Sequence, residues 1–162
     1  MRIEGDYLRS VIFGCEDGLV STTGSVIGIA VGAGDKSIVV LAGLVVIAVE
    51  AISMGAGEFL SERAVHQLEP HKHHDSPAKG GVLMFVSYIG AGLIPVLPYL
   101  LFSLTPAIFM SLGLALISLF LLGYVKGKLI GVASWRSGAE ILVVGGLATA
   151  IGVVVGLLLR TN

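Results

Sequence analysis

The sequence predicts an all-α integral membrane protein with five transmembrane helices. Its 162 residues are 55% hydrophobic and only 13% charged, and the mean hydropathy is +0.95. A soluble domain carries about 25% charged residues. A run of about 20 apolar residues suffices to cross the roughly 30 Å hydrocarbon core of a bilayer. Five such runs fill residues 1–162, which we therefore expect to form a single membrane domain. The predicted spans are 11–34, 38–60, 80–104, 107–125 and 139–159.

Short breaks separate most of the spans. Gly34-Asp35-Lys36 follows the first span and Thr105-Pro106 follows the third, and both combinations favour turns. The N-terminal segment carries acidic residues and lacks the apolar core of a signal peptide, so the first span is expected to direct insertion itself. A net charge of −1 without a basic block gives no indication of a nucleic-acid partner.

The distribution of Lys and Arg predicts the orientation of the chain in the membrane. Eight of the ten basic residues fall on one side of the predicted spans, and only Lys36 and Arg160 fall on the other. Because the basic side of a membrane protein faces the cytoplasm, the N-terminus is predicted to be cytoplasmic and the C-terminus external. The eight residues on the cytoplasmic side are Arg2, Arg9, Arg63, Lys72, Lys79, Lys126, Lys128 and Arg136.

Small residues recur every four positions in the first and last spans. At this spacing they let helix backbones approach closely, which drives helix association in lipid. The pattern therefore indicates helix packing, and it leaves open whether the partner is the same chain or a second copy. The two rows are Gly24, Gly28 and Gly32 in the first span and Ala148, Gly152 and Gly156 in the fifth.

The third span contains Pro95 and Pro98. A proline removes one backbone donor from a helix and frees carbonyl groups that neighbouring residues must satisfy. We therefore expect a kink here, with a transport hinge as the functional alternative to a purely structural bend.

The second span carries a carboxylate near the middle of the membrane. A charged Glu50 at that depth costs on the order of 3 kcal/mol, so an intramembrane carboxylate suggests function. Glu50, Met54, Glu58 and Glu62 follow at intervals of four residues along one side of a helix. This row predicts a ladder for a divalent cation. The structural alternative is a hydrogen-bonded Glu50 with Met54 as packing and the other two glutamates at the interface.

The segment 61–79 is the longest polar stretch and contains all four histidines. Histidine is a common ligand of transition metals, but the spacing matches no closed zinc site. A solvated loop with weak metal affinity and a functional metal-collecting loop both fit this segment. The additional candidate ligands are Glu16 beside Asp17 in the first span, and His66, His71, His73 and His74 in the loop.

The donor types indicate which ion such a ladder would select. Mg²⁺ and Ca²⁺ prefer oxygen ligands alone, whereas a thioether such as Met54 favours softer ions, which points to Fe²⁺ or Mn²⁺. A carboxylate surrounded by protein and lipid holds a proton more readily than one in water. It can therefore exchange that proton for a metal ion, as proton-coupled antiport requires.

Several short motifs across nearly the whole chain resemble the vacuolar iron transporter family. They are Asp17-Gly18-Leu19, Ile52-Ser53-Met54-Gly55, Gly57-Glu58-Phe59, Pro95-Val96-Leu97-Pro98-Tyr99 and Arg136-Ser137-Gly138. The resemblance implies five transmembrane helices, a homodimer with the ion path near the subunit interface, and export of Fe²⁺ or Mn²⁺ from the cytoplasm against protons. Asp17 and Met54 match the intramembrane metal-binding Asp and Met of the family. The implied location is the plasma membrane in a prokaryote or a vacuole-like organelle in a eukaryote.

The chain departs from the family pattern at two places. The glutamate that the family carries two turns before the methionine is replaced by Val46, and Glu50 lies one turn closer. The long cytoplasmic insertion after the second helix is reduced to the segment 61–79, which is too short for a helical metal-binding domain.

Three other functions compete with transport as explanations of these residues. A metal-dependent membrane enzyme would need a motif such as HExxH, which is absent, so no enzymatic activity and no tightly bound cofactor are expected. A carrier of organic cations would need aromatic residues beside Glu50, but Phe13 and Phe59 are the only aromatics in the first two spans. The main alternative is a non-transporting metal sensor or assembly factor that uses the histidine-rich loop.

The charge distribution generates a direct test of orientation. A reporter fused to the C-terminus should be accessible from outside the cell, and a cysteine label placed near His71 should react only from the cytoplasm. The reverse labelling pattern would contradict the predicted topology.

Overall fold

The computed structural model describes residues 5–68 and 75–159 and contains five α-helices. In chain order they are α1 (Gly5–Ala33), α2 (Lys36–Leu68), α3 (Pro77–Leu101), α4 (Leu104–Ile130) and α5 (Ser134–Leu158). The helices α2 to α5 are each long and apolar enough to cross a membrane. The first helix is less apolar because it carries Glu16, Asp17 and several hydroxyl side chains. That α1 also spans the membrane therefore remains a prediction.

The first helix occupies the centre of the bundle. It packs against all four other helices, which follow one another around it in sequence order. Within the described residues, α2 and α5 make at most marginal contact, so one side of α1 is left uncovered between them. We call this side of α1 the open side.

Close backbone contacts hold α1 in this position. A Cβ added at Gly18 would lie 2.6 Å from the carbonyl oxygen of Tyr88 on α3, and one at Gly28 would lie 2.6 Å from that of Gly152 on α5. Neither position has room for a larger residue. The small-residue row of the first span thus packs against the matching row of α5 in the same chain, with Gly32 opposite Gly156.

Of the two predicted breaks between helices, one agrees with the structure and the other does not. Gly34 adopts a positive φ of 67° between α1 and α2, and Asp35 Oδ1 accepts the backbone N–H of Ser37 at 2.7 Å, which caps α2. The predicted turn at Thr105-Pro106 is wrong, because both residues lie in the first turn of α4. Proline is tolerated there since the first N–H groups of a helix have no partner within it.

The segment 61–79 is also more helical than predicted. The second helix continues to Leu68 and α3 begins at Pro77, which leaves a much shorter connection. The predicted span ended where the apolar residues end. A helix can continue beyond that point when its polar side chains have partners in the protein. His71, His73 and His74 lie outside the described residues. We call this end of the bundle, where α2 ends and α3 begins, the loop end.

The third helix runs without interruption through Pro95 and Pro98, both of which are buried. Ser111 on α4 donates a hydrogen bond of 2.7 Å to the carbonyl oxygen of Pro95. The expected kink and hinge remain predictions, and this bond goes to a carbonyl other than the two that the prolines leave without a helical donor, those of Ala91 and Ile94.

Apolar packing fills the half of the bundle away from the loop end. Its core joins side chains from α1 to α4, and large apolar residues of α2, α4 and α5 are exposed on the outside, as expected for surfaces that face lipid. The core residues are Val26, Ile27, Ala30, Val39, Ile47, Val96, Tyr99 and Ala107. Most of the charged side chains among the described residues lie in the other half.

The packing of α1 against α5 can be tested at Gly28. We expect Gly28→Leu to destabilise the chain in detergent by at least about 1–3 kcal/mol, the typical cost of overpacking one core position, and so to lower its melting temperature. A matched control is Gly90→Leu on α3, where an added Cβ meets nothing within 4 Å. Equal melting temperatures for the two variants would contradict the close contact between α1 and α5.

Candidate metal path

Two layers of polar side chains lie along α1 and α2. The upper layer, at the loop end, contains Glu58, Glu62 and Arg9. The deeper layer contains Glu50 and Asp17. At 1.5 Å per residue, Glu50 lies about 18 Å from Glu62 along the axis of α2.

The glutamates at the loop end share one cation. Arg9 Nη2 on α1 lies 3.3 Å from Glu58 Oε1 and also donates to Glu62 Oε1. Ser10 Oγ donates to Glu58 Oε1 at 2.5 Å. The side chains of both glutamates are only 10% exposed, whereas that of Arg9 is 56% exposed. Arg9 therefore covers two nearly buried carboxylates from the outside.

The hydrogen bond between Ser10 and Glu58 sets the relative depth of residues on α1 and α2. Because the two helices run antiparallel, Asp17 lies about 10 Å below this bond, Met54 about 6 Å and Glu50 about 12 Å. Asp17 thus lies at nearly the depth of Glu50, and Met54 lies between this pair and the loop end.

Asp17 and Glu50 form the deeper layer. Asp17 is half-buried on α1 and lies within electrostatic range of Glu50, which is exposed on α2. Tyr88 on α3 lies within range of both charges, and its hydroxyl is 2.5 Å from Ser21 Oγ. Among the described residues, neither Asp17 nor Glu50 forms a salt bridge.

The predicted ladder on α2 is twisted rather than straight. Burial increases along it from the exposed Glu50 through the half-buried Met54 and Glu58 to the buried Glu62. The cause is helix geometry, because residues four apart are offset by about 40° and the offset over three steps is about 120°. Glu62 consequently faces α1, while Glu50 lies at the surface of the chain.

A third group of candidate metal ligands lies where the end of α2 meets the start of α3. One ligand atom from each of Glu62, His66 and Asp75 lies within 4.8 Å of the other two. His66 Nε2 and Asp75 Oδ1 are 3.1 Å apart. The sequence indicated Glu62 and His66, and Asp75 only as the end of the histidine-rich run, so the grouping of these three residues is a finding of the structure.

Glu16 belongs to none of the three groups but borders the upper layer. It lines an open cavity of about 690 Å³ at the loop end, together with Arg9, Glu58 and Lys126. Arg9, Ser10 and Tyr88 are the polar residues of the path that the sequence did not identify. Arg9 and Ser10 both lie about two turns before Asp17, at the polar start of the first helix, and this polar start was the only signal in the sequence.

Comparisons with known proteins identify a family and several relatives that the chain resembles. A family model described as VIT family matches residues 8–72 and 63–157. Vacuolar iron transporter 1 of Oryza sativa subsp. japonica and that of Arabidopsis thaliana are each 24% identical to the chain. The alignments cover 90% of the chain and 82% and 83% of the two relatives. An uncharacterized protein of Methanocaldococcus jannaschii is 29% identical, over 88% of the chain and 84% of the relative.

Proposed function

The chain belongs to the VIT family, and on that basis we propose that it exports Fe²⁺ or Mn²⁺ from the cytoplasm in exchange for protons. The family match confirms the resemblance that the sequence motifs indicated. The chain is an integral multi-pass membrane protein, and its curated relatives include plant vacuolar iron transporters. Metal transport across a membrane follows from the family; the ion, the direction and the proton coupling are our proposal.

The observation that carries the proposal is the pairing of Asp17 with Glu50. Two carboxylates in electrostatic range at one depth repel each other when both are charged. Binding of a proton or a dication relieves that repulsion, so the pair can hold either cation. Met54 lies one turn away on α2 and offers a thioether, which favours Fe²⁺ or Mn²⁺ over Mg²⁺ and Ca²⁺.

The direction of transport follows from the proposed orientation. With the loop end in the cytoplasm, a metal ion meets the carboxylates of the upper layer first and reaches Met54 and then Asp17 and Glu50 about 12 Å further in. A proton from the other side would release it there. The carboxylates of the ladder thus act in sequence rather than as one site.

We further propose that a second copy of the chain covers the open side of α1. Glu50 is exposed in the single chain at a depth where lipid would surround it, at a cost of about 3 kcal/mol for a charged carboxylate. An open groove of about 650 Å³ between α1 and α5 continues along this side. A homodimer across α1 would remove Glu50 from lipid and place two copies of the deeper layer near one axis.

Flux measurements test the proposed function. Purified protein in liposomes should carry Fe²⁺ and Mn²⁺ faster when a pH gradient drives protons in the opposite direction. A metal sensor or assembly factor would bind these ions without moving them. Absence of flux for every divalent ion tried would refute transport.

Asp17→Asn keeps the shape of the side chain but removes its charge, so we expect loss of flux with unchanged expression. Met54→Leu keeps the volume and deletes the sulfur, so Fe²⁺ flux should fall while the stability cost stays below about 1.5 kcal/mol. Matched controls are Glu140→Gln, which is exposed on α5, and Met110→Leu, which is exposed on α4. Equal effects of site and control variants would contradict the assigned roles.

Glu50→Gln tests proton coupling separately from metal binding. If Glu50 carries the exchanged proton, this variant should lose the dependence of flux on the pH gradient because glutamine does not titrate. Flux measured across a series of imposed gradients gives the answer. A normal rate with a normal pH profile would reduce Glu50 to a structural contact.

A further inference from the structure

The loop end contains a set of ligands that lies outside the deeper layer and differs from it in chemistry. Glu62 and His66 are one turn apart on α2, and Asp75 lies just before α3. Glu62 is buried, and the side chains of His66 and Asp75 are 21% and 7% exposed. The three side chains therefore belong to the packed part of the structure.

Their spacing suits a first-row transition metal. Bonds of about 2.0–2.2 Å from such an ion place neighbouring ligand atoms about 3 Å apart. His66 Nε2 and Asp75 Oδ1 already have this separation, at 3.1 Å. Glu62 lies within 4.8 Å of both and can approach by rotation of its side chain.

The donor set limits the class of ion. One imidazole nitrogen and two carboxylate oxygens suit Mn²⁺, Fe²⁺, Co²⁺ or Zn²⁺, whereas Mg²⁺ and Ca²⁺ prefer ligands made of oxygen alone. The combination of nitrogen and oxygen also differs from the deeper layer, which has carboxylates alone, and from the neighbouring Met54, which offers sulfur.

Arg9 binds the same carboxylate that the metal would use. Its Nη2 donates to Glu62 Oε1, and Glu58 Oε1 lies 3.3 Å from the same nitrogen. A dication on Glu62 would repel the guanidinium, while Glu58 would still accept it. Arg9 would therefore keep Glu58 as its acceptor after it leaves Glu62.

We propose that Glu62, His66 and Asp75 bind a transition-metal dication at the loop end, and that this ion displaces Arg9 from Glu62 onto Glu58. Metal and guanidinium compete for one carboxylate, so removal of either strengthens binding of the other. The role of this site as the first station of the transport path rests on the proposed function, but the binding itself does not.

The test uses full-length protein in detergent that carries Asp17→Asn in the deeper layer and Met54→Leu beside it, so that these two candidate ligands are removed. Titration with Mn²⁺, followed by calorimetry, should give one bound ion per chain. Adding His66→Ala or Asp75→Asn should weaken binding about tenfold or more. Adding Arg9→Gln should strengthen it about tenfold, because a competing charge is removed.

Arg63→Gln is the matched control for Arg9. Arg63 also lies at the loop end of α2 and is adjacent to Glu62 in sequence, but its guanidinium lies 5.9 Å from the ring of Phe59. Its removal should leave the Mn²⁺ affinity unchanged. If Arg63→Gln and Arg9→Gln strengthen binding equally, the effect is one of general charge and the proposed competition is wrong.

The remaining outcomes separate this site from the proposed function. Absence of Mn²⁺ binding in the parent variant, or an affinity that His66→Ala and Asp75→Asn leave unchanged, would overturn the site even if wild-type liposomes show flux. Mn²⁺ binding that depends on His66 and Asp75 would support the site even if no flux is seen, in which case the proposed transport fails.

Discussion

The structure depends on backbone contact between α1 and its neighbours. A central helix that carries Asp17 is poorly suited to face lipid, and it can occupy the centre only if the surrounding helices approach closely. Gly18 and Gly28 permit this, since each lies against a carbonyl oxygen of a facing helix with no room for a Cβ. In lipid no hydrophobic force draws helices together, so close packing of small residues supplies the association.

Central placement of α1 also fixes the chemistry of α2. The contacts of Arg9 and Ser10 with Glu58 and Glu62 set the register between the two helices, and that register brings Asp17 to the depth of Glu50. A shift of α1 by one turn would move Asp17 by about 5 Å relative to α2. The polar contacts at the loop end and the deeper pair are therefore one geometric unit.

The sequence predicted the features that depend only on residues close together in the chain. Apolar runs located all five helices, and Gly34-Asp35 marked a turn because glycine tolerates the positive φ found there. Helix ends were predicted poorly where polar partners come from elsewhere in the chain, as for the extension of α2 to Leu68. The contact of Arg9 with Glu62 could not be predicted, since it joins residues 53 positions apart. The straight ladder failed for a simpler reason, because a spacing of four residues exceeds one helical turn.

The two layers differ in the source of the cation that balances their carboxylates. At the loop end Arg9 stays protonated at any physiological pH and neutralises part of the charge on Glu58 and Glu62. In the deeper layer Tyr88 and Ser21 bring hydroxyl groups, which carry no charge, and no salt bridge joins Asp17 or Glu50 to a cation among the described residues. A carboxylate pair away from water is costly without a cation. The loop end thus contains its own cation, whereas the deeper layer has none among the described residues. Under the proposed function, the deeper layer takes a proton or a metal ion from outside, and this asymmetry is what a path for exchangeable cations requires.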